Sequence, residues 1–270
     1  MTELIRHPAV AGRFYPADTY ELRSAVISYS SPSKKQISAI GCVVPHAGYV
    51  YSGAVAGAVY SRLNIPQRCI VLCPNHTGKG PPLSIMSRGG WETPLGVAAI
   101  ATGLADCLME HSPLLTEDSE AHRGEHGVEV QLPFLQARRV DFAFVPIVVG
   151  TRDFEVLEAL GNAIGEFLAV QTEHILMIAS SDMNHYESDA VTRVKDRMAI
   201  DQILALDARE LFDVAMREKI SMCGLGPTVV MLTAAKHLQA SKAELIQYAT
   251  SGDVSGDRDM VVGYAGIAVR

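Results

Sequence analysis

The sequence predicts an α/β protein: a mixed, mostly parallel sheet with helices on both faces. Three features point there. Short apolar runs rich in β-branched residues recur along the chain, most of them end on a proline or a polar loop, and helical stretches separate several of them. In such folds ligands gather at the carboxyl ends of the strands, where the loops leave the sheet.

The first run, Ser38 to Pro45, reads as a buried strand, and His46 opens the loop behind it. The small-residue stretch Ala54 to Tyr60 then predicts a helix, with Ser52 as its N-cap. The same grammar repeats at Arg68 to Pro74, a strand followed by Asn75-His76-Thr77-Gly78. Between Gly78 and Gly96 the density of Pro and Gly predicts a long loop or hairpin. A third strand over Asp141 to Val149 leads through Gly150 into a helix from about Asp153 to Val170. A fourth, His174 to Ser180, runs into Ser181-Asp182-Met183-Asn184-His185, and Met260 to Val269 supplies a last strand. No linker or repeat divides the chain, so a single domain over residues 1–270 is expected.

Composition narrows the function. Hydrophobic residues make up 48% and charged residues 20%, which suits a folded domain and not a disordered chain. The formal net charge of −7, without a Lys/Arg block, argues against nucleic acid as a partner. The opening from Met1 lacks a basic segment followed by an apolar run, and no stretch of 18 apolar residues occurs, so no membrane association and a cytoplasmic location are expected. The five cysteines, Cys42, Cys69, Cys73, Cys107 and Cys223, are expected to be thiols. Cys42, Cys69 and Cys107 are read as small apolar side chains.

A lone histidine is usually a hydrogen-bonded structural residue, but several at neighbouring strand ends converge in one crevice. His46, His76 and His185 occupy such positions, and Cys223 precedes the Gly226-Pro227 helix start. Imidazole and thiolate together suit the softer first-row metals. His111, His174 and His237 lack such a setting. His122 is a weaker candidate, because Gly124 places the start of a helix near Glu125 and separates it from His126. The acidic turn around Asp253, Asp257 and Asp259 is expected to be solvated; the sharper alternative puts one of these carboxylates in the metal site.

Taken in order, Ala9 to Pro16, Pro45-His46-Ala47-Gly48-Tyr49, Asn75-His76, Glu125-His126 with Glu129 and Gln131-Leu132-Pro133-Phe134, Ser180-Ser181-Asp182 with His185, Cys223-Gly224, Ser251-Gly252-Asp253 and Val262-Gly263-Tyr264 resemble the Memo family across nearly the whole chain. The prokaryotic branch is called AmmeMemoRadiSam system protein B. That resemblance implies a three-layer α/β/α sandwich similar to the LigB-like class III extradiol dioxygenases, which use non-haem iron. It implies metal ligation by His46, His76 and Cys223, acid/base roles for His185 and His126, and Asp182 orienting His185. It also implies AMMECR1-like and radical SAM proteins as partners. The dioxygenases hold iron with two histidines and a carboxylate. Cys223 stands in the third position here and puts ordinary ring cleavage in doubt. The resulting expectation is an iron or copper redox protein acting on an unknown small molecule. The alternatives are a binding or adaptor protein with a vestigial pocket, and a zinc hydrolase using Glu125 or Glu129 as base.

Overall fold

The computed structural model describes residues 4–30 and 35–270, so the first three residues of the opening segment lie outside it. The first half of the chain forms β1 (Ile5–Arg6), α1 (Thr19–Tyr29), β2 (Gly41–Val44), α2 (Tyr49–Arg62), β3 (Arg68–Pro74), β4 (Leu83–Ile85), β5 (Gly90–Thr93), β6 (Gly96–Ile100), α3 (Thr102–His111), β7 (Thr116–Glu117), α4 (Glu120–Arg123) and α5 (Leu132–Arg138). The second half forms β8 (Ala143–Val149), α6 (Phe154–Ala169), β9 (Ile175–Ser180), β10 (His185–Glu187), α7 (Asp189–Leu204), α8 (Ala208–Arg217), α9 (Leu225–His237), β11 (Ala243–Thr250), α10 (Gly252–Ser255) and β12 (Val261–Val269).

The strands join one twelve-stranded sheet whose main path runs β1-β5-β6-β8-β3-β9-β2-β12-β10. Its middle is parallel from β6 through β8, β3 and β9 to β2, and β12 adds antiparallel to β2. The three strands that end in the polar loops, β2, β9 and β3, are therefore direct neighbours. Alternation along β3 shows why both faces need cover: Ile70 and Leu72 face one apolar core, Cys69, Val71 and Cys73 the other. Helices α3, α6, α7, α8 and α9 contribute to the first core, and α1, α2 and α5 to the second. The α/β architecture with helices on both sides is thus the predicted one.

Two local expectations are corrected, and a third, a hairpin in the Gly78 to Gly96 stretch, is met. Helix α2 starts at Tyr49, a turn before the predicted start, with Gly48 as N-cap. Ser52 sits inside it, and its hydroxyl donates to the Ala47 carbonyl at 2.9 Å. Gly57 permits this packing, since a Cβ there would lie 2.2 Å from the Tyr29 carbonyl oxygen. Gly124 ends a helix, α4, and does not precede one; Glu125 to Val128 is non-helical until the 3-10 turn Glu129–Gln131. The Gly78 to Gly96 stretch contains β4 and β5, and β5 forms a hairpin with β6.

Cys42, Cys69 and Cys73 are fully buried thiols, and Cys107 packs half-buried against the first core. Among the described residues no helix is long and apolar enough to cross a membrane.

Candidate metal centre

His46 leaves the end of β2, His76 the end of β3, and Cys223 lies two residues before α9. The ligand atoms of these three side chains lie within 4.8 Å of one another. The thiol Sγ is 3.1 Å from His46 Nε2. Bonds of about 2.0 to 2.3 Å from one tetrahedral ion space its ligands about 3.3 to 3.8 Å apart, so small side-chain adjustments let this set close on a single ion. The convergence expected of the three residues is present. Gly224 makes room for it: a Cβ there would lie 2.3 Å from the Ser181 Cβ and 2.5 Å from the Ser180 carbonyl, so the Cys223-Gly224 backbone presses directly on the end of β9.

The hydrogen-bond network fixes the His46 tautomer. Gln131 Nε2 faces the Pro45 carbonyl at 3.0 Å, which can only accept, so this end of the amide is the donor; it also donates to Ser180 Oγ at 2.8 Å. The Ser180 hydroxyl donates its one proton to the Gly127 carbonyl at 2.6 Å. His46 Nδ1, 2.9 Å from the same oxygen, must then carry the proton it shares with Ser180, which leaves a bare lone pair on Nε2. Tyr60 closes the chain by donating to Gln131 Oε1 at 2.8 Å. Burial, followed by repulsion from His76, pushes the His46 pKa down to about 3, so the ring is neutral.

His76 is held differently. Its Nδ1 donates to Glu125 Oε1 at 2.8 Å, and its backbone N–H to Glu125 Oε2 at 2.7 Å. Burial lowers the His76 pKa, but the hydrogen bond and charge of Glu125 outweigh it and the net shift is upward. Glu125 is fully buried; burial raises its pKa, yet His76 and the Gly127 amide bring it down to about 2. His126 stacks on His76 with ring centroids 4.5 Å apart, and burial lowers its pKa to about 4. Burial, then the charge of Asp182, push the Cys223 thiol up, so it ionises only beside a cation.

Asp182 does not orient His185. Its carboxylate accepts from the backbone N–H of His46 at 2.8 Å and of Ala47 at 3.3 Å, tying down the β2 loop. His185 Nδ1 instead donates to the Ser221 carbonyl at 2.9 Å. The reason is the β-bulge between His185 and Glu187, where Tyr186 takes a φ of +61°, which sets the ring against the segment before Cys223. Both residues still line one cavity of about 300 Å³ with Phe14, His46, His76, His126 and Tyr264. Burial raises the Asp182 carboxyl pKa, although the His46 amide opposes that shift.

The remaining candidates lie elsewhere. Glu129 is fully buried, accepting from Arg6 Nη1 at 2.5 Å, the amides of Ala9 and Val10, and the Tyr15 hydroxyl, so it locks the N-terminal segment in place. Asp253 pairs with Arg193 and Arg258, and Asp257 and Asp259 are exposed. The acidic turn thus sits apart from the metal cluster, as expected. His122 is fully buried outside the cavity, with neither ring nitrogen hydrogen-bonded. Ser180 and Gln131 escaped sequence reasoning. Their signal was present in the Ser180-Ser181-Asp182 and Gln131-Leu132-Pro133-Phe134 motifs, but their partners lie 49 to 134 positions away.

The family model described as Memo-like protein matches residues 6–268. This chain belongs to the Memo family. Full-length relatives agree: a MEMO1 family protein of Methanopyrus kandleri is 40% identical over 279 residues, covering 98% of this chain and 99% of the relative. Another from Aquifex aeolicus is 42% identical over 266 residues, covering 97% and 98%. The crystal structure of an uncharacterized protein from Escherichia coli K12 superposes with a TM-score of 0.55 at 15% identity, covering 84% of this chain and 98% of that one, a likeness of fold. In this Memo family chain the candidate metal centre therefore sits at the carboxyl ends of neighbouring parallel strands, where an open α/β sheet places its ligands.

Proposed function

We propose that this Memo family chain is a metal-dependent redox protein that holds iron or copper with His46, His76 and Cys223 and acts on a small molecule. The observation that carries this reading is the donor set. Two imidazoles stand with their Nδ1 protons already committed, one to Ser180 and one to Glu125, beside a thiol that needs a cation to ionise. Such a borderline-to-soft set suits iron, Cu(I) or zinc better than magnesium or calcium. A redox-active ion held there supplies one-electron chemistry.

The chain's own residues supply the rest. His126, neutral at physiological pH, can take a proton in the cavity, and Asp182, with its raised pKa, can return one. His185 keeps Nε2 as its free ring nitrogen, because Nδ1 is committed to Ser221. Phe14 and Tyr264 add aromatic surface to the lining of the same cavity.

Anaerobic purification, metal quantification and an O₂-consumption assay test the reading. Near-stoichiometric iron or copper, lost in Cys223→Ala, together with O₂ uptake by the loaded protein, is expected. Stoichiometric zinc without O₂ uptake would favour hydrolysis, and no retained metal would favour an adaptor.

A further inference from the structure

Strand β1 is only two residues long, yet Arg6 at its end is buried and uses all three nitrogens of its guanidinium. β1 runs parallel to β5 with Arg6 opposite Trp91, and the guanidinium carbon lies 4.2 Å from the centroid of the indole. From there the group reaches the segment that follows α4. Nε donates to the His122 carbonyl at 2.9 Å, Nη2 to the Glu125 carbonyl at 2.8 Å, and Nη1 pairs with the Glu129 carboxylate at 2.5 Å. Neutralising Glu129 would need only the last of these contacts. The other two meet backbone carbonyls where α4 ends and the chain is non-helical, so no helical ladder fixes its course there. Glu125 is therefore held at both ends. Its carbonyl is tied to Arg6, and its carboxylate accepts from the His76 ring at 2.8 Å, the His76 backbone N–H at 2.7 Å and the Gly127 backbone N–H at 2.8 Å. On its other side the segment rests on β3, since a Cβ on Gly127 would lie 2.8 Å from the Cys73 Cβ.

We propose that Arg6 is a positioning residue for the metal centre: it fixes the Glu125 backbone and, through the Glu125 carboxylate, sets the ring of His76. Arg6 itself lies outside the cavity that the histidines line. A guanidinium suits this task because it addresses three acceptors, spread from residue 122 to residue 129, with separate nitrogens in fixed directions. A lysine ammonium carries the same charge but presents its donors from one point. His46 provides an internal contrast. It is oriented by Ser180 and Gln131, and the hydrogen bonds of Arg6 go to neither. As a role in metal binding this rests on the reading above, but the placing of His76 does not require the metal.

The test uses the full-length, metal-free protein and reads the assigned ring ¹H–¹⁵N signals of His76 and His46, both of which carry a hydrogen-bonded Nδ1 proton in the wild type. Two variants are compared with it: Arg6→Lys, and the double exchange Arg6→Met with Glu129→Gln, which removes both charges so that neither is left buried alone. In both, the His76 signal is expected to move upfield or vanish while the His46 signal stays and urea unfolding remains cooperative. Chelator competition for Fe(II) under anaerobic conditions is expected to show metal affinity about tenfold weaker in Arg6→Lys, within the range for partners of metal-bound histidines. An unchanged His76 signal in the folded variants would show that Arg6 serves only Glu129. Loss of both histidine signals together would show that it holds the fold as a whole, and wild-type metal affinity beside a displaced His76 signal would show that the placing of this ring is immaterial. Each of these overturns the proposal. Failure of the redox reading shows separately, as unchanged metal content in Cys223→Ala.

Discussion

His46 and His76 offer the same imidazole from strands separated only by β9, yet the fold fixes them by opposite means. His46 is buried, 1% exposed, and is oriented by a neutral chain through Ser180, Gln131 and Tyr60. His76 is about one-third exposed at the side chain and is oriented by a buried carboxylate. The difference follows from desolvation. A charged partner on the fully buried His46 ring would have no access to water, and the nearby Asp182 carboxylate meets the His46 backbone N–H instead of the ring, whereas the partly open ring of His76 can be protonated and so can stabilise Glu125. One ligand is thus selected by tautomer and the other by basicity.

The largest break in this pairing is expected from Glu125→Gln. Removing the carboxylate takes away the charge that makes His76 a strong donor, and metal affinity should fall about 100-fold, at the upper end for partners of metal-bound histidines. The same variant should change acid stability. Glu125 has its folded pKa below the unfolded value, so its stabilisation is full above about pH 4.5 and is lost as pH falls toward 2. Glu125→Gln should therefore flatten the metal-free stability curve over that window by on the order of 2 kcal/mol, measured by urea denaturation.

Ser180→Ala attacks the neutral arm, and a weaker effect, about tenfold in metal affinity, is expected. The ring keeps its site and loses only the acceptor that selects its tautomer. Competition against a chelator measures both variants, and the comparison fails if Ser180→Ala costs more than Glu125→Gln.

The smallest effect is on protonation in the metal-free protein. By NMR titration His76 should protonate above pH 6.5, while His46 and His126 remain neutral down to about pH 4. The signs differ accordingly. His76 contributes stability that is full below 6.5 and lost as pH rises through its folded pKa. His46 and His126 contribute stability that is present above 6.5 and lost as pH falls. A His46 signal titrating near 6.5 would show that its burial or its network is not as described.

The long buried strands were legible because β3, β8, β9 and β12 are continuous apolar runs of six to nine residues. The short ones were not: β1, β4, β7 and β10 have two or three residues each, too few to show a period, and exist because a neighbouring edge accepts them. At the site, His46 and His76 stood out by following strands and Cys223 by preceding the Gly226-Pro227 helix start, whereas its place as the third ligand came from the resemblance to the family motif. The pairing of Asp182 with His185 failed because nearness in sequence does not determine hydrogen-bond partners once a bulge turns the chain.

X-ray absorption on the iron- or copper-loaded protein tests the central claim most directly. The account predicts one sulfur scatterer at about 2.3 Å with two imidazole nitrogens, the sulfur vanishing in Cys223→Ala. A purely nitrogen and oxygen shell, identical in wild type and Cys223→Ala, would contradict it.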